Sequence, residues 1–326
     1  MKAILVTEFG GPEMMKVADV EMPSINPKQV LIRVVATSVN FADIKSRYGN
    51  YGGGKLPFIP GLDAAGVIEQ VGSEVEHLKV GQRVIAFPSN GSYAEYIVAN
   101  EELTFALPDT IDDDTAAACP IVSFTSYKLL ADIARLEHGE TVLIHAAAGG
   151  IGTTAIQLAK LLGAGKVIGT VGNESKAAIA LEAGADHVIC YENGDFAEQV
   201  NELTNGAGAN VILDSISGRV GEKSMECLAH YGRLVHFGNA SGEVGHIRTV
   251  DLHASCRSVL GFSFGTTRSK RPHLLRDTAE QVLRYVADGS LQIKIGRRFP
   301  LEEAAQAHEW VESRLSTGKI LLDVVR

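Results

Sequence analysis

The sequence contains few cysteines, and their spacing argues against a zinc knuckle and against a fold held by disulfides. There are four cysteines among 326 residues, and no two of them have the Cys-x-x-Cys spacing of a zinc knuckle. The scatter provides no disulfide framework either, so we expect reduced and mostly buried thiols. The four residues are Cys119, Cys190, Cys227 and Cys256.

Long apolar runs are also missing. No segment reaches the roughly 18 consecutive apolar residues that a membrane span requires. The apolar run at residues 3–6 is too short for a signal peptide, and Glu8 and Gly10 soon interrupt the pattern. We therefore predict a cytoplasmic protein with no membrane partner.

An excess of positive charge is absent as well. The formal net charge is −9, and a negative surface repels the phosphates of a nucleic acid. The one dense basic stretch, residues 268–271, is interpreted as a solvated loop. No nucleic-acid partner is expected.

Glycine is abundant, with 34 residues against 10 prolines. The chain length suggests two domains at roughly 100–200 residues each. Within residues 1–118, short runs rich in β-branched residues alternate with Gly and Pro. This pattern predicts a β-rich domain built as a barrel or a rolled antiparallel sheet.

From residue 141 the pattern changes to alternating strands and helices, which predicts a parallel sheet covered on both faces. We assign residues 119–264 to this second domain. Residues 265–326 contain two amphipathic stretches and a terminal strand, and we expect them to return to the first domain. The predicted strands of the second domain are residues 141–146, 166–171, 187–190, 210–214 and 233–238.

A glycine-rich turn at residues 146–152, Ala-Ala-Ala-Gly-Gly-Ile-Gly, lies between the first of these strands and a helix. That context is the one a dinucleotide-binding turn requires. Gly149 lets the backbone approach a pyrophosphate, Gly152 permits close packing of helix on strand, and the helix N-terminus attracts phosphate. Ala147 stands where the first glycine of the strict pattern is usual. The expected cofactor-binding residues of the turn are Ala148, Gly149, Gly150, Ile151 and Gly152.

The end of the second strand favours NADPH over NADH. An NAD site usually has Asp or Glu there for the ribose 2′-hydroxyl, whereas this chain has Val-Gly-Asn at residues 171–173. We expect Asn173, Lys176 and Tyr191 to contact a 2′-phosphate. Glu174 argues the other way, because its carboxylate suits a ribose and repels a phosphate.

At this point the chain resembles the zinc-free quinone oxidoreductases of the medium-chain dehydrogenase/reductase superfamily, the group that includes zeta-crystallin. The resemblance covers essentially the whole chain and rests on residues 40–43, 60–66, 146–152 and 237–242. It implies an α/β fold, with a GroES-like β-rich catalytic domain and a Rossmann domain with a doubly wound parallel sheet.

The resemblance also indicates that both zinc sites of the superfamily are absent. Zinc alcohol dehydrogenases have a Cys where Asn40 stands, a Gly-His-Glu motif at residues 61–63, and a third ligand near Ile121. Here residues 61–63 are Gly-Leu-Asp, and residues 85–118 contain none of the four structural cysteines. Neither Asn40, Leu62 nor Ile121 is a strong zinc ligand, so no metal is expected. Without a Lewis acid, an enone or quinone is a better substrate than a simple alcohol.

Further site residues follow from the family pattern. Asn40 is placed near the nicotinamide ribose and the substrate, and Thr125 near the nicotinamide carboxamide. Tyr48 and Tyr51 are candidate proton donors or substrate-stacking residues, against the alternative of tyrosines on a glycine-rich loop without a catalytic role. His145 and Asp43 are interpreted as structural. The remaining cofactor contacts implied by the family are Phe237, Gly238, Ser241, Phe262, Phe264 and Lys319.

The sequence thus predicts NADPH-dependent reduction of quinones or other activated alkenes, such as enones and alkenals, by hydride transfer without zinc. Two alternatives stay open: a 2-enoyl-thioester reductase of the same family, and a non-catalytic NADPH-binding sensor or crystallin-like protein. Strand-like segments within residues 247–264 suggest a homodimer.

Overall fold

The computed structural model describes residues 1–50 and 55–324. The chain forms two compact units. Unit 1 consists of the described residues within Met1–Phe124, Lys270–Gly289 and Ile293–Arg326, and unit 2 of Thr125–Ser269 and Ser290–Gln292.

The described residues contain fifteen strands and ten α-helices. The strands are β1 (Lys2–Val6), β2 (Met15–Asp19), β3 (Gln29–Val39), β4 (Ala64–Val71), β5 (Arg83–Ala86), β6 (Tyr96–Asn100), β7 (Thr104–Ala106), β8 (Thr141–Ile144), β9 (Lys166–Val171), β10 (His187–Cys190), β11 (Ala209–Asp214), β12 (Leu228–His236), β13 (Ser258–Gly261), β14 (Ile295–Pro300) and β15 (Lys319–Asp323). The helices are α1 (Phe41–Arg47), α2 (Asp113–Tyr127), α3 (Gly150–Leu161), α4 (Ala177–Glu182), α5 (Phe196–Leu203), α6 (Gly218–Ser224), α7 (Val250–His253), α8 (Phe264–Lys270), α9 (Arg276–Ala287) and α10 (Ala304–Glu312).

Unit 1 is built on a mostly antiparallel sheet with the strand order β14-β15-β3-β4-β5-β7, in which β6 also pairs with β3. The long strand β3 is rich in β-branched residues and is buried along most of its length, as expected for a central strand. Its antiparallel register with β15 sets Ile320 opposite Val39, which brings Lys319 beside Asn40. The predicted β-rich domain is therefore confirmed.

Unit 2 is built on a six-stranded parallel sheet with the order β10-β9-β8-β11-β12-β13. From the central strand β8, the strands β9 and β10 follow toward one edge of the sheet, and β11, β12 and β13 follow toward the opposite edge. Right-handed crossovers then place helices on opposite faces. This arrangement confirms the predicted doubly wound sheet. The apolar core on one face includes Leu143, Ile168 and Ile212, all fully buried.

Three predicted strands of unit 2 differ at their ends from the observed ones. The strand predicted at residues 141–146 ends at Ile144, and the strand predicted at residues 210–214 begins at Ala209. The strand predicted at residues 233–238 spans Leu228–His236. Among the described residues, no helix combines the length and the apolarity needed to cross a membrane.

Candidate functional site

Asn40 lies at the junction between β3 and α1 in unit 1, and its side chain is held from both sides. Its Nδ2 donates to Asp63 Oδ1 at 3.0 Å, and its Oδ1 accepts from Lys319 Nζ at 2.7 Å. Lys319 Nζ also donates to the Val39 carbonyl at 3.0 Å. Asn40 and Lys319 are 7% and 3% exposed, so two residues predicted separately as cofactor contacts lie together and almost fully buried.

The backbone N–H of Asn40 begins a second set of hydrogen bonds. It donates to Asp43 Oδ2 at 2.8 Å, an interaction typical of a capping box at a helix N-terminus. The Tyr93 hydroxyl lies 3.3 Å from the same oxygen and 3.1 Å from His308 Nε2. Burial raises the pKa of Asp43 to about 7.

Arg47 completes this second set at the far side of His308. Its Nη1 lies 3.1 Å from His308 Nδ1, and its Nη2 donates to both oxygens of Glu312 at 2.8 and 2.9 Å. A guanidinium is always a donor, so His308 Nδ1 is the acceptor and Nε2–H donates to Tyr93. Burial, together with the charge of Arg47, lowers the pKa of His308 to about 3.

Sequence reasoning missed Asp63, Tyr93, Arg47 and His308. One signal was available for His308, which stands next to Ala307 and three residues before Val311 in an amphipathic stretch. A polar residue on the apolar face of a helix is expected to have a buried partner. The partners lie 215 and 261 residues away, which no local pattern reveals.

Of the two tyrosines predicted as proton donors, only Tyr48 lies within the described residues. Tyr48 ends α1 and is 44% exposed, with the Arg47 guanidinium 4.6 Å from its ring centroid. A hydrogen bond with Glu312 raises the pKa of Tyr48, which makes its hydroxyl a weaker acid. Tyr51 lies outside the described residues.

The glycine-rich turn of unit 2 joins β8 to α3, with Gly149 as the N-cap residue. A Cβ added to Gly152 would lie 2.4 Å from the Ala146 carbonyl oxygen, whereas one added to Gly149 would lie 3.4 Å from it. Gly152 is therefore required by packing, whereas a methyl group at position 149 would make only an ordinary van der Waals contact. Ala146 itself has a φ of 53°, a left-handed conformation that alanine rarely adopts.

Ala147, the departure from the strict glycine pattern, is accommodated by a neighbouring strand. A Cβ on Gly169 in β9 would lie 2.7 Å from the Ala147 methyl group. The methyl group therefore occupies the space left by the missing side chain of Gly169, and Ala147 is fully buried.

His145, directly before the turn, is held in a buried polar cluster. Its Nε2 is 2.9 Å from Ser224 Oγ, whose own hydrogen is donated to the Val220 carbonyl. Nε2 is therefore the donor. Nδ1 lies 2.9 Å from Thr170 Oγ1 and 2.8 Å from the Tyr191 hydroxyl. Burial lowers the pKa of His145 to about 4, which keeps the ring neutral.

Tyr191 is thus engaged within unit 2. Its hydroxyl contacts Thr170 Oγ1 at 2.8 Å in addition to His145, and burial raises its pKa. The predicted contact of Tyr191 with a 2′-phosphate stays a prediction, and this structure supplies other partners for the hydroxyl.

The segment after β9 carries the residues expected to choose between NADPH and NADH. Asn173 Oδ1 accepts from the Ser175 N–H at 2.8 Å. The opposing carboxylate of Glu174 accepts from Asn193 Nδ2 at 3.0 Å. Lys176 is half-buried, and this burial lowers its pKa.

The loops after β11, β12 and β13 are tied together by backbone hydrogen bonds. Ala240 and Ser241 donate to the carbonyls of Ser215 and Ile216, and Phe262 donates to the His236 carbonyl. These contacts bring the predicted residues Phe237, Gly238, Ser241 and Phe262 to the carboxyl end of the parallel sheet, with Phe264 at the start of α8. Ligands of doubly wound sheets bind at this end.

The Thr125 hydroxyl is the exception to hydrogen bonding in the interior. Among buried side-chain oxygens and nitrogens of the described residues, Thr125 Oγ1 has no hydrogen-bond partner. A threonine in a helix often bonds back to the carbonyl four residues earlier, as Ser123 does to Cys119 at 2.5 Å. An unpartnered buried hydroxyl costs free energy, so Thr125 Oγ1 is available to a hydrogen-bonding partner.

No group of three or more His, Cys, Asp or Glu side chains in the described part of the chain is arranged to hold a metal ion. Asp63 lies in the segment that carries a metal ligand in zinc-dependent relatives. Its carboxylate accepts hydrogen bonds from the Ser38 hydroxyl, the Asn40 amide and the Ile121 N–H. It thus has protein partners on both oxygens.

Comparison with known proteins gives full-length similarities. The profile of the family described as alcohol dehydrogenase GroES-like domain matches residues 26–109, and that described as zinc-binding dehydrogenase matches residues 150–282. The quinone oxidoreductase of Pseudomonas aeruginosa is 39% identical over 98% of this chain and 99% of its own. These matches confirm the GroES-like and Rossmann parts of the predicted fold.

Solved structures agree with this similarity. A quinone oxidoreductase of Pseudomonas syringae has a TM-score of 0.93 at 35% identity, covering 99% of each chain. The Escherichia coli quinone oxidoreductase complexed with NADPH has a TM-score of 0.92 at 33% identity, covering 99% of this chain and 100% of its own.

The two glycines of the turn predict different effects of the same substitution. Gly152→Ala forces a methyl group against backbone and is expected to lower the free energy of unfolding by about 2 kcal/mol. Gly149→Ala is expected to cost less than about 1 kcal/mol, because its methyl group meets no atom closer than 3.4 Å. It should instead weaken binding of a dinucleotide. Urea unfolding and nucleotide titration of both variants check this pair, and equal destabilisation would contradict it.

His145 predicts a pH dependence of stability. Its folded pKa of about 4 lies below the unfolded value of about 6.5, so its stabilising contribution is present above pH 6.5 and is lost as the pH falls toward 4. At about 1.4 kcal/mol per pH unit, the contribution of His145 drops by about 2 kcal/mol between pH 6.5 and pH 5. Urea unfolding of the wild type and of His145→Gln should show a free-energy difference that shrinks by this amount. Curves that stay parallel over this range would count against a buried neutral imidazole.

Proposed function

From the premise that the chain belongs to the quinone oxidoreductase family of the medium-chain dehydrogenases/reductases, we propose that it oxidises NADPH and reduces quinones or other activated alkenes without zinc. Family membership establishes an oxidoreductase of the medium-chain type. The choice of NADPH, the acceptor and the residue roles are the proposal.

The observation that carries the proposal is the unpartnered hydroxyl of Thr125. It is 4% exposed, and the family pattern assigns this position to the nicotinamide carboxamide, whose oxygen and N–H₂ group are suitable hydrogen-bond partners. The start of α3 after Gly149 supports a pyrophosphate, since the backbone N–H groups there lack intrahelical acceptors. Both features fit a nicotinamide dinucleotide.

When bound, NADPH supplies the hydride. In unit 2, the loop residues Ala148, Gly149, Gly150, Ile151 and Gly152 would hold the pyrophosphate. Thr125 would orient the carboxamide, and Asn173 and Lys176 would hold the 2′-phosphate. Phe237, Gly238, Ser241, Phe262 and Phe264 would line the path of the cofactor, with Tyr191 as a further contact.

In unit 1, Asn40 and Lys319 would present fixed hydrogen-bond donors to the ribose and the acceptor. The proton needed after hydride transfer would come from water or from Tyr48 or Tyr51. The hydrogen bond that raises the pKa of Tyr48 favours water, because an acid with a higher pKa gives up its proton less readily.

The proposed acceptors include activated alkenes such as enones as well as quinones. The carbonyl of an enone or quinone delocalises the incoming negative charge, so these compounds need no Lewis acid. A 2-enoyl thioester reacts in the same way, and a reductase of such thioesters is the second candidate. A non-catalytic NADPH-binding protein is the third.

We also propose a homodimer that works in the cytoplasm. In support of the dimer, β13 is an edge strand that pairs with β12, and exposed edges favour pairing with another chain. We further propose that residues 1–118 and 265–326 form the catalytic domain and that residues 119–264 form the cofactor-binding domain.

A substrate panel tests the proposed activity. Oxidation of NADPH and NADH is followed at 340 nm with quinones, alkenals, enones and 2-enoyl thioesters, with and without EDTA. We expect turnover of quinones with NADPH, a clear preference over NADH, and no effect of EDTA. Turnover of enoyl thioesters alone would favour the second candidate. NADPH binding without turnover of any acceptor would favour the third.

Lys176→Ala tests the proposed recognition of the 2′-phosphate. Loss of a charge-assisted hydrogen bond to the 2′-phosphate should raise the Kd of NADPH about tenfold. The Kd of NADH is the internal control and should change less than about twofold. An equal rise for both cofactors would remove Lys176 from 2′-phosphate recognition.

A further inference from the structure

The carboxylate of Asp63 connects three segments of unit 1 around Asn40. Asp63 directly precedes β4 and is fully buried. Its Oδ1 accepts from Ser38 Oγ at 2.8 Å and from Asn40 Nδ2 at 3.0 Å, and its Oδ2 accepts from the Ile121 N–H in α2 at 3.0 Å. We propose that Asp63 is a positioning residue that sets the orientation of the Asn40 amide. This inference rests on the proposed function, in which Asn40 contacts the cofactor.

The orientation of the Asn40 amide follows from its two neighbours. A carboxylate only accepts hydrogen bonds and an ammonium only donates them. With Asp63 on one side and Lys319 on the other, Nδ2 must face Asp63 and Oδ1 must face Lys319. The flipped amide would set an oxygen against the carboxylate and an N–H₂ group against the ammonium, so both hydrogen bonds would be lost.

Charge is the second part of the role of Asp63. Lys319 is buried, and this burial lowers its pKa, whereas the nearby Asp63, Asp43 and Cys119 oppose that change. Asp63 opposes it most among the three. A neutral amide at position 63 would still accept one hydrogen bond, but it would leave the buried ammonium with less compensation. The Asn40 amide would then meet a weaker acceptor at its Nδ2, which also lies 3.3 Å from the Ser38 carbonyl oxygen, and a less compensated ammonium at its Oδ1.

Asp43 provides a matched comparison within the same unit. Asp43 and Asp63 are both buried carboxyls next to Asn40. Asp63 contacts the side chain of Asn40, whereas Asp43 contacts its backbone N–H. Alanine at position 40 removes the contact with Asp63 and keeps the contact with Asp43. The effect of substituting Asp63 should therefore depend on whether residue 40 is Asn or Ala, and the effect of substituting Asp43 should not.

A double-mutant cycle on the Kd of NADPH, measured by fluorescence titration of the full-length protein, tests the proposal. We expect Asp63→Asn to raise the Kd about tenfold in the wild-type background and less than about twofold in the Asn40→Ala background. Asp43→Asn should change the Kd by the same factor in both backgrounds. A purely structural role would give Asp63→Asn the same factor in both, and that result would overturn the proposal.

A companion variant covers the case in which Asp63→Asn does not fold. Asp63→Asn combined with Lys319→Met removes both buried charges, and the double variant should give a folded circular dichroism spectrum with a cooperative thermal transition that the single variant lacks. No recovery of stability would overturn the role in charge compensation.

The readout separates this inference from the proposed function. A wild type that binds NADPH but turns over no acceptor would contradict the proposed activity and still allow the cycle to be read. A wild type that turns over quinone, with equal factors in both backgrounds, would contradict the positioning role alone. A wild type that does not bind NADPH would contradict both.

Discussion

The free-energy cost of burying polar groups without partners is the constraint on which both units depend. In unit 1, seven buried or nearly buried polar residues are linked into one hydrogen-bonded network: Asn40, Asp43, Arg47, Asp63, Tyr93, His308 and Lys319. In unit 2, His145, Thr170, Tyr191 and Ser224 form a smaller one. An isolated member of either set would cost about 1–3 kcal/mol or more, so the members depend on each other.

This dependence gives the proposed site its rigidity. Asn40 is held through its backbone by Asp43 and through its side chain by Asp63 and Lys319. A hydrogen-bond donor fixed before the ligand arrives loses little freedom when the ligand binds. The same constraint marks Thr125, because a folded protein rarely leaves a buried hydroxyl without a partner. The partnered groups therefore hold Asn40 in place, and the unpartnered hydroxyl of Thr125 is proposed to bind the cofactor.

The sequence predicted the local features well and the long-range ones poorly. The strands from β8 to β12 follow from apolar runs, and α3 follows from helical spacing, because both patterns are local. The turn at residues 146–152 could be recognised from its place between strand and helix, although the reason why Ala147 fits lies in Gly169 on another strand. Lys319 was assigned by family resemblance alone, and its contact with Asn40 spans 279 residues. The roles of Asp63 and His308 depend on tertiary contacts that carry no local signature.

The central claim is that the structure is completed by a nicotinamide dinucleotide, and Thr125→Val tests it most directly. Valine keeps the shape of threonine and removes the hydroxyl. The free energy of unfolding of the unliganded variant should stay within about 1 kcal/mol of the wild type or rise, while the Kd of NADPH should increase about tenfold. Thr170→Val is the matched control, since its hydroxyl has partners and its loss should destabilise the protein. An unchanged Kd for NADPH in Thr125→Val would contradict the account.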